Sequence, residues 1–307
     1  MKVFLTGATG YIGSVVAERL LEHGHEVLGL ARSDQAAAHL HARGVEPLSG
    51  DLADAGRLIE GATRADAVIH LAQSRFDPGG DFAAQMQQMG QQATRAMGAF
   101  LRALSGSGKT LMLTGGTGAY GDTGDSIVDE DTPLPESPMT AALAENERRV
   151  LTAAGVRGMA VRPAIVYGRG GGPLTLQLSM ARQFGGVMFT GDGENALSFV
   201  HVDDVADLYV RLLERGEAGM VLNAVAEPWV TQGDVLRAVS EAAGFGGVIQ
   251  PMPEEMARGL AYGGGGLFAR NMRVSARKAR AFGWTPRRPS VLDDLRHGSY
   301  AQQGNPA

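Results

Sequence analysis

Six short, mainly apolar runs punctuate the chain up to Val161: Val3–Leu5, Val27–Leu30, Val45–Leu48, Ala67–Leu71, Leu111–Leu113 and Met159–Val161. Between them the apolar residues recur with helical spacing. From Tyr11 to Glu22, Ile12, Val15, Val16, Leu20 and Leu21 share one face, and similar patterns run through 35–41, 81–104 and 141–154. A strand that is apolar on both sides is covered on both sides, so this alternation predicts βαβ units and a parallel sheet between two layers of helices. The expected class is α/β, a doubly wound parallel-sheet Rossmann fold with a smaller C-terminal substrate-binding region.

After Pro163 the rhythm breaks. Gly168–Pro173 reads GRGGGP, a loop, and the later strand–helix pairs stand apart: 197–201 with 203–214, and 219–223 with 231–243. The expected division is a nucleotide-binding core over 1–167 and a mixed segment over 168–307. Some elements of the latter return to the core and others form a substrate subdomain.

Composition narrows the chemistry. The 307 residues include no Cys, which excludes disulfides, thiolate metal sites and a cysteine nucleophile. A net charge of −5 gives no electrostatic footprint for nucleic acid or an anionic membrane. No apolar run reaches the roughly 20 residues that span a bilayer, and the apolar start is cut short by Gly7 and Gly10. The expectation is a cytoplasmic protein with a small-molecule partner. Gly 44 is about twice ordinary usage, with no G-X-Y period, which predicts many tight turns and close backbone approaches.

One such approach carries a function. Thr6–Gly13 reads TGATGYIG, with Gly7, Gly10 and Gly13 between the first strand and the first helix, and Thr9, Tyr11 and Ile12 among them. There the backbone turns tightly against a pyrophosphate, and the helix N-terminus offers N–H donors and a positive dipole. The second strand ends in Ala31, Arg32 and Ser33, where an NAD site usually places an acid for the ribose 2′-hydroxyl. An acid repels a 2′-phosphate and a guanidinium clamps it, so Arg32 with Ser33 favours NADP over NAD.

These stretches resemble the extended and atypical short-chain dehydrogenase/reductases, the NAD(P)-dependent epimerase/dehydratase family. The likeness continues in GDLAD (50–54), AVIHLA (67–72), AYGDTG (119–124), RPAIVYG (162–168), SFVHVDDVAD (198–207) and FGWTP (282–286), in family order over nearly the whole chain. The resemblance implies that Asp51 and Leu52 flank the adenine and that Leu71, Ala72 and Gln73 lie along the ribose and pyrophosphate. It also implies that Pro163, Ala164, Ile165 and Val166 line the nicotinamide.

The departure from the family is equally specific. Family enzymes use a Tyr-x-x-x-Lys pair on one helix face, with a Ser or Thr after the fifth strand. Counting from Tyr120, the serine position is Gly116, and counting back from Glu147, the Tyr and Lys positions are Met139 and Leu143. No Tyr-x-x-x-Lys occurs anywhere in the chain. Thr114 and Thr117 remain to position a carbonyl oxygen, though neither is acidic enough to replace the tyrosine.

Three other patterns carry no chemistry. SGSGKT (105–110) lacks the first glycine of a phosphate loop and precedes a strand where such a loop follows one. Asp203 or Asp204, just before Val205, Leu208 and Leu212, reads as a helix cap rather than a metal ligand, and no metal is expected. Arg277, Lys278 and Arg280 read as a solvated helix face. Finally, 252–272 is rich in Met and Gly, with Met252, Met256, Leu260 and Phe268 around Gly263–Gly266. Two readings stand: core packing, or a lid over a flat apolar substrate contacted by those residues and Met139. With the lid, the resemblance implies an NADPH-dependent ketoreductase of a polycyclic aromatic, polyketide-type ketone, of the kind used in antibiotic biosynthesis, with a proton taken from substrate or water. The alternatives are a non-catalytic NADP-binding redox sensor or docking protein, and, disfavoured by the missing Tyr and Lys, a sugar-nucleotide epimerase or dehydratase.

Overall fold

The computed structural model describes residues 1–73, 80–135, 140–252 and 268–301. The chain forms two compact units, each assembled from separated segments. The first comprises Met1–Gly115, Leu134–Arg162 and Val205–Leu222, and the second Gly116–Pro133, Pro163–Asp204 and Asn223–Ala307.

The first unit is built on a seven-stranded sheet. Its strands are β1 (Lys2–Thr6), β2 (Glu26–Ala31), β3 (Glu46–Ser49), β4 (Ala67–His70), β5 (Thr110–Thr114), β6 (Arg157–Pro163) and an edge strand, β10 (Val221–Ala224). They are ordered β10-β6-β5-β4-β1-β2-β3, with parallel pairing from β3 through to β6. The apolar runs fall on these strands because both faces are covered: every residue of β4, and Val3–Thr6 of β1, is buried. The helices α1 (Tyr11–Glu22), α2 (Asp34–Ala42), α3 (Ala55–Arg64), α4 (Phe82–Leu104) and α5 (Ala141–Leu151) connect them. Phe4, Leu28, Leu58, Val68, Phe100 and Leu111 join one core under α3 and α4. The close packing has a glycine signature: a Cβ on Gly61 of α3 would stand 2.4 Å from the Phe4 ring. The strand order reverses between β1 and β4, and in such sheets ligands bind beyond the carboxyl ends of the strands at that point.

In the second unit, β7 (Ile165–Tyr167) lies parallel to β9 (Ala196–His201), which pairs antiparallel with β11 (Glu227–Thr231). β8 (Val187–Phe189) pairs with β12 (Ile249–Pro251). The helices α6 (Pro173–Phe184), α8 (Gln232–Ala242), α9 (Arg277–Ala281) and α10 (Val291–His297) belong here. Tyr167, Leu197, Phe199, Phe268, Met272 and Tyr300 lie in its core.

The cap expected at Asp203 or Asp204 is corrected. The helix α7 (Val202–Arg215) starts earlier, so both acids sit inside its first turn. The Asp204 carboxylate accepts the Arg287 and Arg288 backbone N–H groups at 2.9 and 3.2 Å, and Asp203 pairs with Arg169 at 2.6 Å. The basic run of α9 meets acids rather than solvent alone: Arg277 pairs with Asp129 and Asp131, and Lys278 with Asp131. Among the described residues no group of three His, Cys, Asp or Glu side chains could hold a metal ion, and no helix is long and apolar enough to cross a membrane.

Candidate functional site

The loop after β1 is shaped by its glycines. Gly7 has φ +80°, where an L side chain is strained, and a Cβ there would also press on the Ala72 backbone N at 2.9 Å. The Gly7 carbonyl accepts the Gly10 N–H at 2.8 Å and lies beneath α1, so that a Cβ on Gly13 would come within 2.0 Å of it. Gly10 caps α1 with its backbone alone, with no side-chain cap hydrogen bond ahead of Tyr11 and Ile12. A turn this tight at a helix N-terminus is a shape that suits an anion.

At the end of β2, Arg32 is exposed and has no ion-pair or hydrogen-bond partner among the described residues. Beside it the Ser33 hydroxyl caps α2, accepting the Ala36 N–H at 3.2 Å, which leaves its own proton for an outside acceptor. Past β3, the Asp51 carboxylate accepts the Ala53 N–H at 2.6 Å and holds the turn that carries Leu52.

Leu52 forms one end of a cleft of about 660 Å³ within the first unit. Its floor is the carboxyl ends of β4 and β5, with His70, Leu71, Ala72, Gln73, Leu113 and Thr114. Its walls are α4, through Met86, Met89 and Met97, and α5, through Ala142, Leu143 and Asn146. Burial holds His70 neutral, its pKa lowered to about 4, and its Nδ1 lies 2.8 Å from the Thr6 hydroxyl, which ties the end of β4 to that of β1. Thr114 is half-buried, and its Oγ1 lies 2.6 Å from the hydroxyl of Tyr209 on α7. Asn146 donates to Thr94 at 3.2 Å while its buried Oδ1 has no partner among the described residues. One turn beyond Leu143, buried Glu147 accepts from Arg162 Nε at 3.0 Å in a two-pronged ion pair that fixes α5 to β6.

In the second unit, Gly116 precedes a 3₁₀ turn, Thr117–Tyr120, in which Thr117 is buried. The Tyr120 hydroxyl donates to the Asp129 carbonyl at 2.8 Å and faces Asn223 Oδ1 at 3.2 Å, so it serves the fold. Pro163, Ala164, Ile165 and Val166 are buried, and the Ala164 N–H is bound to the Ala224 carbonyl at 3.0 Å. Phe268 packs in the core, and the Met252 N–H binds the Phe189 carbonyl at 2.8 Å. Met139, Met256, Leu260 and most of the segment 252–272 lie outside the described residues.

Sequence reasoning missed His70, Asn146 and Tyr209. His70 carried a signal, since a polar residue ends an otherwise apolar strand. Tyr209 carried none, because its position on α7 reads as core.

The glycine turn, the N-terminus of α1 and the cleft beyond β4 and β5 together fit a dinucleotide. The comparisons agree with that geometry. The model of the NAD dependent epimerase/dehydratase family matches residues 3–224. An uncharacterized protein of Saccharomyces cerevisiae is 34% identical over 307 residues, covering 96% of this chain and 98% of its own. A 4-hydroxy-2-methyl-3-oxo-4-farnesyl-3,4-dihydroquinoline-1-oxide ketoreductase of Stigmatella aurantiaca is 28% identical over 275 residues, covering 87% of this chain and 81% of its own. The crystal structure of a human epimerase family protein with NADPH superposes with a TM-score of 0.77 at 21% identity, covering 97% of this chain and 99% of that one, a likeness of fold. With the family model matched over residues 3–224, the chain belongs to the NAD dependent epimerase/dehydratase family.

Proposed function

We propose that this protein is an NADPH-dependent ketoreductase acting on a fused-ring aromatic ketone. The observation that carries the reading is the wall of the cleft. Methionine, leucine and alanine side chains line it beside the neutral amides of Gln73, Gln87, Gln91 and Gln92, Arg95 is its one charged lining residue among the described residues, and Thr114 offers a hydroxyl on the floor. A sugar nucleotide would bring a diphosphate that needs several cationic partners, whereas flat apolar rings suit adaptable methionines. The Stigmatella relative supports the reading: it is a ketoreductase whose substrate is a fused-ring ketone with a hydroxyl on the adjacent carbon. Arg32 and Ser33, unoccupied by other partners except for the α2 cap, favour the 2′-phosphate of NADPH.

When bound, the reduced nicotinamide supplies a hydride to the carbonyl carbon. Gly7, Gly10 and Gly13 would hold the pyrophosphate, with Arg32 at the 2′-phosphate. Thr114 would hold the carbonyl oxygen, and Leu143 with the α4 methionines would exclude water. Thr114 is far too weak an acid to give up its proton, so the oxygen takes its proton from a neighbouring substrate hydroxyl or from water. A phenol beside the ketone polarises the carbonyl in advance and removes the need for a protein tyrosine.

The test is NADPH oxidation with hydroxyfluorenone bearing its hydroxyl beside the ketone, and with its methyl ether. General acid assistance contributes about 10²–10⁴-fold, so the ether should react slower by that order. NADPH binding with no oxidation by any aromatic ketone would instead mark a non-catalytic NADP-binding protein.

A further inference from the structure

Tyr209 is a completely buried phenol whose hydroxyl has one partner among the described residues, Thr114 Oγ1 at 2.6 Å. A hydrogen bond between two hydroxyls has two polarities. If Thr114 donated, the phenolic proton would be left in the core with no acceptor, and an unsatisfied buried donor is costly. If Tyr209 donates, both groups are satisfied, and the Thr114 proton is turned away from the core. Thr114 is half-buried and lies on the floor of the cleft, so that proton is offered to the cleft.

We propose that Tyr209 is a positioning residue that fixes Thr114 as a hydrogen-bond donor toward the substrate carbonyl. The inference rests on the ketoreductase reading. It gives the chain a replacement for one half of the missing tyrosine's work, the hydrogen bond to the carbonyl oxygen, while the proton itself still comes from substrate or water. Tyr209 is not the acid. Burial pushes its phenol well above the ordinary tyrosine range, and no second partner leads its proton out to solvent. Accepting from Tyr209 also makes the Thr114 hydroxyl a better donor, since hydrogen bonds in a chain polarise one another.

The experiment compares wild type, Tyr209→Phe, Thr114→Val, the double variant and Thr114→Ser, with NADPH and hydroxyfluorenone. Tyr209→Phe should lower kcat by about 10–100-fold, less than the roughly 10²–10³-fold for losing an oxyanion donor outright because the Thr114 hydroxyl remains, with KM and NADPH affinity unchanged. Thr114→Ser should keep most of the rate, and Thr114→Val should lose at least as much as Tyr209→Phe. In the Thr114→Val background the Tyr209→Phe change should cost nothing more. A readout independent of turnover is the carbonyl stretch of labelled fluorenone bound with NADP⁺. It should be shifted to lower frequency in wild type and return toward its value in hydrocarbon in Tyr209→Phe. A Tyr209→Phe enzyme as fast as wild type, or one that still loses rate in the Thr114→Val background, overturns the inference and leaves the ketoreductase reading standing. A wild type that neither binds nor reduces the ketones overturns the reading, and the inference with it.

Discussion

Replacing Gly13 by alanine adds a single methyl group at the most crowded point of the nucleotide cradle. The new Cβ would lie 2.0 Å from the Gly7 carbonyl oxygen and 2.7 Å from its carbon, against ordinary contact from about 3.4 Å. Both atoms are backbone, so no rotamer relieves the overlap, and the loop and α1 must separate by more than 1 Å. Overpacking of this kind costs about 1–3 kcal/mol, and alanine returns up to about 1 kcal/mol through its helix propensity. The net loss of stability should therefore be about 0–2 kcal/mol, small enough to leave a folded protein. Binding should suffer more, because the same displacement pulls the α1 donors out of line with the pyrophosphate. Losing one hydrogen bond to a charged phosphate costs about 1.5–3 kcal/mol, so the NADPH Kd should rise by about 10–10²-fold. Gly98→Ala on α4 is the control, since its Cβ would meet only the Arg102 and Arg149 guanidinium nitrogens, at 3.5 and 3.8 Å, in ordinary contact. Titration calorimetry and thermal melts on the three proteins separate the two effects. A Gly13→Ala protein that binds NADPH as tightly as wild type would show that the cofactor does not sit on this turn.

Three further outcomes follow from the geometry. Arg32→Ala should weaken NADPH by about 1–3 kcal/mol while leaving NADH unchanged, and equal losses for both in calorimetry would remove the 2′-phosphate role. His70 has its pKa lowered to about 4 against an unfolded value of 6.5, so the unfolded chain binds the extra proton between those limits. The stability from keeping it neutral is complete above pH 6.5 and is lost as pH falls toward 4, by about 2–3 kcal/mol at pH 4.5. Urea unfolding at pH 7 and 4.5 should show that loss, and His70→Asn should reduce it. Glu147→Ala removes the carboxylate from a buried ion pair with Arg162, which should cost about 3–5 kcal/mol in the same unfolding assay, whereas loss below about 1 kcal/mol would mean that the guanidinium charge is compensated elsewhere.

The parallel sheet was legible because burial on both faces writes strands as mainly apolar runs, and Tyr11–Glu22 has the same bounds in sequence and structure. Among the helices that escaped, α3 and α6 did so for local reasons. α3 has Leu58 and Ile59 as its only large apolar residues, and α6 begins at Pro173, which reads as the end of a glycine loop but stands in the helix's first turn. The acids at 203 and 204 misled because a cap and a first-turn position differ by one or two residues, and the partners that decide between them, Arg169 and the 287–288 backbone, are distant in sequence. The glycine cradle is contained in eight consecutive residues and needs no tertiary information. The Thr114–Tyr209 contact joins residues 95 apart, and nothing in either neighbourhood announces it.

The buried ion pair at the base of α5 has a consequence for how the cleft can change over evolutionary time. Glu147 and Arg162 lock the helix to β6 at a point beyond the cleft, while Leu143 reaches the cleft one turn earlier. Anchor and lining are therefore separable traits of one helix. Mutation can exchange what the helix presents to a ligand, a lysine for a leucine or the reverse, without loosening the element that presents it. A lineage can thus abandon one proton-transfer apparatus and keep a properly placed wall on which another chemistry can be selected.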